Sequence, residues 1–174
     1  MPLGLDSGTV RVVPYDPEWP ELFRAEAARL QAAIAPALSL VIEHTGSTAV
    51  PGLAAKPVLD MLAGCRHGAS VDAYVVALTK VGFEHRGEQG IPGRRFFRRG
   101  NPRAYHLHLT EQGSVFWREQ LAFRDALIAD AALRDAYAWL KVDLARRFPR
   151  DRESYTSGKT AFVQQVLGPA QPAP

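Results

Sequence analysis

The chain has 174 residues, 47% of them hydrophobic and 22% charged, with a net charge of +3. That composition describes an ordinary globular protein with a real core, in one domain or one domain with an appended helical hairpin. The modest positive charge allows an anionic ligand but falls well short of a dedicated DNA coat, so nucleic acid is not the expected partner.

The amino terminus, MPLGLDSGTV, has neither a basic nor an apolar signal region. No run approaches the ~18 apolar residues of a membrane helix. The single cysteine, Cys65, excludes an intramolecular disulfide framework and fits a reducing compartment. A soluble, cytoplasmic protein with no membrane partner is expected.

In chain order, RVVPY (11–15) predicts a short edge strand stopped by Pro14. Asp16 then caps a helix with Pro17 at its first position, and Trp19, Leu22, Phe23, Leu30 and Ile34 form its apolar face up to Pro36. LSLVIEHTG (38–46) predicts a buried strand ended by Gly46, and PVLDMLAG (57–64) a second. Ser70 caps a helix carrying Val71, Tyr74, Val75 and Leu78, which Gly82 closes.

FEHRGEQGIPGRRFFRRG (83–100) predicts two strands around a glycine-rich turn. AYHLHLTE (104–111) alternates, with Tyr105, Leu107 and Leu109 on one face and His106 and His108 on the other. From Ser114 the pattern is helical: one helix with Trp117 and Leu121, a second with Leu133, Tyr137, Leu140 and Leu144 capped by Asp130, and a short last one from Phe162 to Leu167. The expected fold is α/β (α+β): a small mixed sheet with helices mainly on one face and C-terminal helices after it. A single domain over 1–168 and a frayed tail over 169–174 follow from the same pattern.

Two motifs are refused. SGKT (157–160) resembles the end of a P-loop, but the position needing glycine is Glu153 and no strand precedes it. Lys159 and Thr160 therefore read as a helix start. Gly87, Gly90 and Gly93 recur by threes between two strands, unlike a dinucleotide fingerprint.

Three groups could carry chemistry. Gly46-Ser47-Thr48 ends a strand, where a glycine admits close approach of a phosphate and Ser47 offers a hydroxyl and an N–H; a tight turn explains it equally well. Asp60 is a carboxylate inside an apolar strand, costly unless it binds metal or substrate or pairs with Lys56 or an arginine. His106 and His108 share one strand face and suit a metal or a phosphate, or are simply solvated or satisfied within the core. Beside them, Arg94 and Arg98 share one face and Arg95 and Arg99 the other, giving paired guanidiniums for an anion or a basic edge that resists aggregation.

Taken together, PYDPEWPELFRAE, EHTGSTAVPGLAAKPVLD, GIPGRRFF and HLHL resemble the GrpB family, in order from about Val12 through the helix containing Lys159. The resemblance implies a nucleotidyltransferase-like fold, and some members occur fused behind dephospho-CoA kinase. In such folds a Gly-Ser holds the triphosphate, two acids spaced by one residue bind divalent metals, and a third acid lies on a later strand. Gly46-Ser47 matches the first element and Asp60 the first acid, but the second acid's position is Leu62, and His106 and His108 stand where the third is expected. The implied metal is divalent: Mg²⁺ prefers an all-oxygen site, whereas Asp60 with two histidines suits Zn²⁺, Mn²⁺ or Fe²⁺ better.

Three functions follow from the resemblance. One is a metal-dependent nucleotidyltransferase, with Asp60, His106 and His108 holding metal, Gly46, Ser47 and Thr48 holding phosphates, and Lys56 with Arg94 or Arg95 stabilising charge. Another is an inactive module that binds a nucleotide or other phosphorylated small molecule. The last is a protein-partner module, as the kinase fusions suggest; the sequence names no partner.

Overall fold

The computed structural model describes residues 3–34 and 38–168. The expected end of the first helix near Pro36 and the tail at 169–174 lie outside the described residues. Five strands form one mixed sheet: β1 (Val41–Thr45), β2 (Leu59–Cys65), β3 (Glu84–His85), β4 (Arg95–Arg99) and β5 (Tyr105–Glu111), in the spatial order β1-β2-β5-β4-β3. β2 and β5 run parallel at its centre and every other pair is antiparallel. In register across the sheet, Thr45, Asp60, His106, Arg98 and Glu84 make one row, and Glu43, Leu62, His108 and Phe96 make the next row on the same face.

Period-two alternation splits the sheet into two different faces. Met61, Ala63, Leu107, Leu109 and Phe97 pack beneath α1 (Trp19–Ala33) and α2 (Val71–Lys80), whose Leu30, Tyr74 and Leu78 are almost fully buried. The other face carries Asp60, His106 and His108. It is covered in part by α3 (Val115–Ala129), since a Cβ on Gly64 would come within 2.7 Å of the Trp117 ring. α4 (Ala131–Arg147), α5 (Arg152–Ser157) and α6 (Thr160–Leu167) complete that side around a cluster of Val50, Leu53, Leu127 and Tyr137. Helices therefore cover both faces rather than mainly one, because α3 to α6 fold back over the half of the sheet that α1 and α2 leave bare.

Local chemistry explains the other departures from expectation. Residues 11–15 form no strand; Val13 makes one isolated bridge to Ala55, and Pro14, with no N–H, cannot extend it. The first helix starts two residues after Pro17, at Trp19, with Pro20 in its first turn. Asp16 instead holds the preceding turn, its Oδ1 accepting from the Glu18 N–H at 3.0 Å and its carbonyl from Trp19. β1 is an edge strand and mostly half-exposed, since a short apolar run looks the same at the edge as at the centre. α5 had no sequence signal beyond Asp151, which caps it through the Ser154 N–H at 3.0 Å. Ser114 and Asp130 cap α3 and α4 through the N–H groups of Trp117 and Leu133. No helix among the described residues is long and apolar enough to cross a membrane.

Candidate functional site

A cavity of about 800 Å³ lies between the Asp60 face of the sheet and helices α3 to α6. Gly46, Ser47, Thr48, Lys56, Asp60, Arg94, His106 and His108 all reach its wall. Arg95 does not: in register with Leu109, it projects from the opposite face and pairs with Glu88 at 2.9 Å.

Gly46 ends β1 with φ +68°, a backbone that glycine adopts without penalty. A Cβ there would stand 2.5 Å from Asp60 Oδ2, so the missing side chain is what lets this turn lie against the carboxylate. Ser47–Ala49 then form one 3₁₀ turn, whose leading N–H groups have no partner within the turn. Thr48 is buried, and its hydroxyl is engaged with His44 Nε2 at 3.1 Å, so it shapes the turn rather than facing a ligand.

Asp60 and the two histidines are committed to one another. His106 Nδ1 lies 2.9 Å from Asp60 Oδ1, and because a carboxylate only accepts, that nitrogen carries the proton. Burial lowers the His106 ring to about 4, more than its bond to Asp60 raises it, so it is neutral near pH 7. Its Nε2 is buried without a partner among the described residues. At Asp60, burial pushes the carboxyl up, but the hydrogen bond from His106 and the nearby His108 ring outweigh it and hold the group well below its ordinary value.

Arg94 is 8% exposed and donates to the carbonyls of Glu88 and Gln89, locking the 86–94 turn. Its Nη1 also lies 3.3 Å from His108 Nδ1. Arginine cannot accept, so His108 keeps its proton on Nε2, which stands 3.9 Å from Asp60 Oδ1. Arg94 is thus a positioning residue, with no fork left for a phosphate.

These hydrogen bonds decide the fit of a metal. A metal ligand must offer a lone pair toward the ion. The His108 lone pair faces Arg94, and that of His106 is buried. No group of three His, Cys, Asp or Glu side chains among the described residues is placed to hold an ion. Leu62, at the position of the second acid, is fully buried. The donor set Asp60, His106 and His108 does not fit a divalent metal in this arrangement.

What the cavity does hold is a cluster of lysines. Lys56 and Lys159 lie 5.0 and 4.9 Å from the centroid of the same Tyr155 ring, and Lys141 lies 4.8 Å from that of Tyr137. Lys141 is 2% exposed and donates to the Ala54 carbonyl. Burial, then the charge of Lys159, lowers Lys56 to about 7; burial, then Lys159 and Lys56, lowers Lys141 to about 6; burial also lowers Lys159. Arg152 and the aromatic rings of Phe116, Phe123, Tyr137 and Tyr155 complete the wall. The lysines at 141 and 159 come from α4 and from the start of α6, and neither stood out in the sequence as a ligand-binding residue.

The buried histidines also set the acid limit of the fold. His44, stacked on Phe23 at 4.5 Å, is lowered to about 4 mainly by burial. His44 and His106 are neutral when folded and charge below about 6.5 when unfolded, so the unfolded chain binds more protons between pH 4 and 6.5. Stability is expected to fall by a few kcal/mol, on the order of 2–4, as pH drops through that window. Urea melts at pH 7, 5.5 and 4.5 measure it, and His44→Gln should flatten the slope; parallel slopes in both proteins would refute the assignment.

Comparison with known proteins agrees with the fold. The family model described as GrpB protein matches residues 9–168. A Pseudomonas aeruginosa protein is 40% identical over 171 residues, covering 95% of this chain and 69% of its own. YqkA of Bacillus subtilis is 36% identical over 156 residues, covering 89% of this chain but 45% of its own, so the chain spans less than half of that relative. A dephospho-CoA kinase of Mycolicibacterium paratuberculosis is 28% identical, over 90% of this chain and 45% of the kinase. Among solved structures, GrpB from Enterococcus faecalis superposes with a TM-score of 0.80 at 34% identity, over 90% of this chain and 94% of that one. The Cid1 poly(U) polymerase, solved with MgGTP, superposes with a TM-score of 0.54 at 16% identity, over 78% of this chain and 45% of that one, which makes the fold nucleotidyltransferase-like.

Proposed function

The chain belongs to the GrpB family, and from that premise we propose that its cavity binds a nucleotide or a kindred phosphorylated small molecule without needing a divalent metal. The phosphates sit among Lys56, Lys141, Lys159 and Arg152 against the Ser47 turn, and the base or another planar group lies on the aromatic wall. The observation that carries this reading is the set of lysines, all lowered by burial, that share one cavity with Arg152 and with the carboxylates of Asp60, Glu119 and Glu153. Such a cluster is unfavourable while empty, and a polyanion both neutralises it and restores its protons. Metal-dependent transfer is supported less well, because it asks for a second carboxylate where Leu62 stands.

The test is calorimetric titration with ATP, GTP, CTP, UTP and dephospho-CoA, with and without EDTA, the last because a dephospho-CoA kinase is among the relatives. Saturable binding to at least one, unchanged by EDTA, is expected. Since Lys56 stands at about 7 when free and rises beside a phosphate, binding takes up protons. Affinity therefore falls as pH rises from 7 to 9, by up to about tenfold per unit for each lysine that recharges. The double variant Lys56→Met/Lys159→Met should lose on the order of 100-fold in affinity, two charge-assisted contacts being removed, while Arg95→Met leaves it unchanged. No binding across the panel, or binding indifferent to the lysines, would sink the proposal.

A further inference from the structure

A second concavity, of about 460 Å³, gathers Arg86, Arg98, Arg99 and Arg103 around the one carboxylate of Glu84. Its wall includes Ser7, Glu84, Arg86, Arg98, Asn101 and Arg103. Arg103 is 8% exposed, yet its Nε and Nη2 are buried without an acceptor. The Nε of Arg98, on the site face of β4 in register with His106, is buried and unpartnered too. Glu84 is engaged by Arg86 at 2.6 Å and Glu26 by Arg99, so neither carboxylate hydrogen-bonds Arg98 or Arg103. Arg152 lies near enough to lower both Arg98 and Arg103, after burial, and Arg103 stands at about 10.

A buried guanidinium normally has a carboxylate or carbonyl for each N–H edge. Here Nε and Nη2 of the buried Arg103 and Nε of the half-buried Arg98 lack one, beside a concavity that an external group can enter. We propose that this arginine pocket is a second anion site, which takes a phosphate dianion, free or as the terminal phosphate of a larger molecule. A tetrahedral phosphate offers several oxygens in different directions and accepts from Arg98 and Arg103 at once, which a single carboxylate does less well. Ser7 and Asn101 add neutral hydrogen-bonding groups at the wall. The site is separate from the lysine cavity, whose wall includes none of Arg86, Arg98 and Arg103.

Arginine Nε–H resonances of the full chain report the event directly. Inorganic phosphate is expected to shift the Arg98 and Arg103 signals saturably, while chloride at equal ionic strength does not. Arg103→Met and Arg98→Gln, tested separately, should each weaken phosphate binding at least tenfold, and neither should lower the melting temperature of the phosphate-free protein. Lys56→Met should leave the shifts in place, which separates this site from the cavity. A parallel titration with a nucleoside monophosphate sorts the source: equal affinities point to free phosphate, and tighter binding of the monophosphate points to a larger ligand. Signals that stay fixed up to tens of millimolar phosphate, or that respond equally to chloride, would overturn the proposal, as would an affinity that neither arginine variant changes.

Discussion

Gly46→Ala is expected to destabilise the protein by on the order of 3 kcal/mol and to abolish ligand binding in the cavity. Two separate costs combine. An alanine at φ +68° loses roughly 1 kcal/mol or more to backbone strain. Its Cβ would then stand 2.5 Å from Asp60 Oδ2 and 2.9 Å from Asp60 Cβ, and the second contact is with an atom fixed to a central strand. The carboxylate must swing away, which breaks its bond from His106 and leaves a buried polar pair unsatisfied, roughly 1–3 kcal/mol more. Gly52→Ala is the control: φ is +79° there, but nothing lies within 4 Å of the added Cβ, so only the backbone term remains. Urea denaturation of both variants separates the two costs. Equal losses at Gly46 and Gly52 would mean that the turn does not rest on Asp60.

Lys141→Met is expected to have the opposite sign, stabilising the unliganded protein by on the order of 1–3 kcal/mol at pH 7. The side chain is held at about 6 by burial and by its neighbours, against about 10.5 in an unfolded chain. Between those values the unfolded chain carries a proton that the folded one has released, so wild-type stability climbs as pH rises through the window. Methionine keeps the stem's packing and removes the cost, although it leaves the Ala54 carbonyl without its donor, which limits the gain. Melts at pH 7 and pH 9.5 should show the variant ahead at the lower pH and the gap narrowing at the higher. A variant less stable than wild type at both would show that Lys141 is a net structural asset. The same substitution should weaken polyphosphate binding, so that stability and affinity move apart.

How far the sequence told this story depends on which part of the cavity is considered. The strand alternation that puts His106 and His108 on one face holds because it is a local pattern with period two, and Gly46 ends β1 as a local terminator, though its contact with Asp60 is not written in the sequence. What the sequence could not show is that Asp60 would take a hydrogen bond from His106 Nδ1 and Arg94 would face the His108 lone pair, which leaves the apparent metal set without converging lone pairs. Nor did the basic run at 94–99 reveal that Arg94 would be locked into its own turn and Arg95 aimed the other way. The lysines were harder still, since they face Asp60 only after α4 and α6 dock. One signal was present: Lys141 follows Tyr137 by four residues and precedes Leu144 by three, so a charge sat on an otherwise apolar stripe. Lys159 opens a helix in the sequence pattern, and nothing local shows that its ammonium turns into the cavity.

The bond from Lys141 to Ala54 spans 87 residues of chain. All five strands end by Glu111, whereas Lys141, Arg152 and Lys159 follow it. On a ribosome, the sheet, with Asp60 and its histidines, is therefore synthesised in full before any of these three cations emerges. The cavity is the last part of the molecule to exist, and a chain released early carries the carboxylate face with Lys56 alone of the four cations that would hold a phosphate against it.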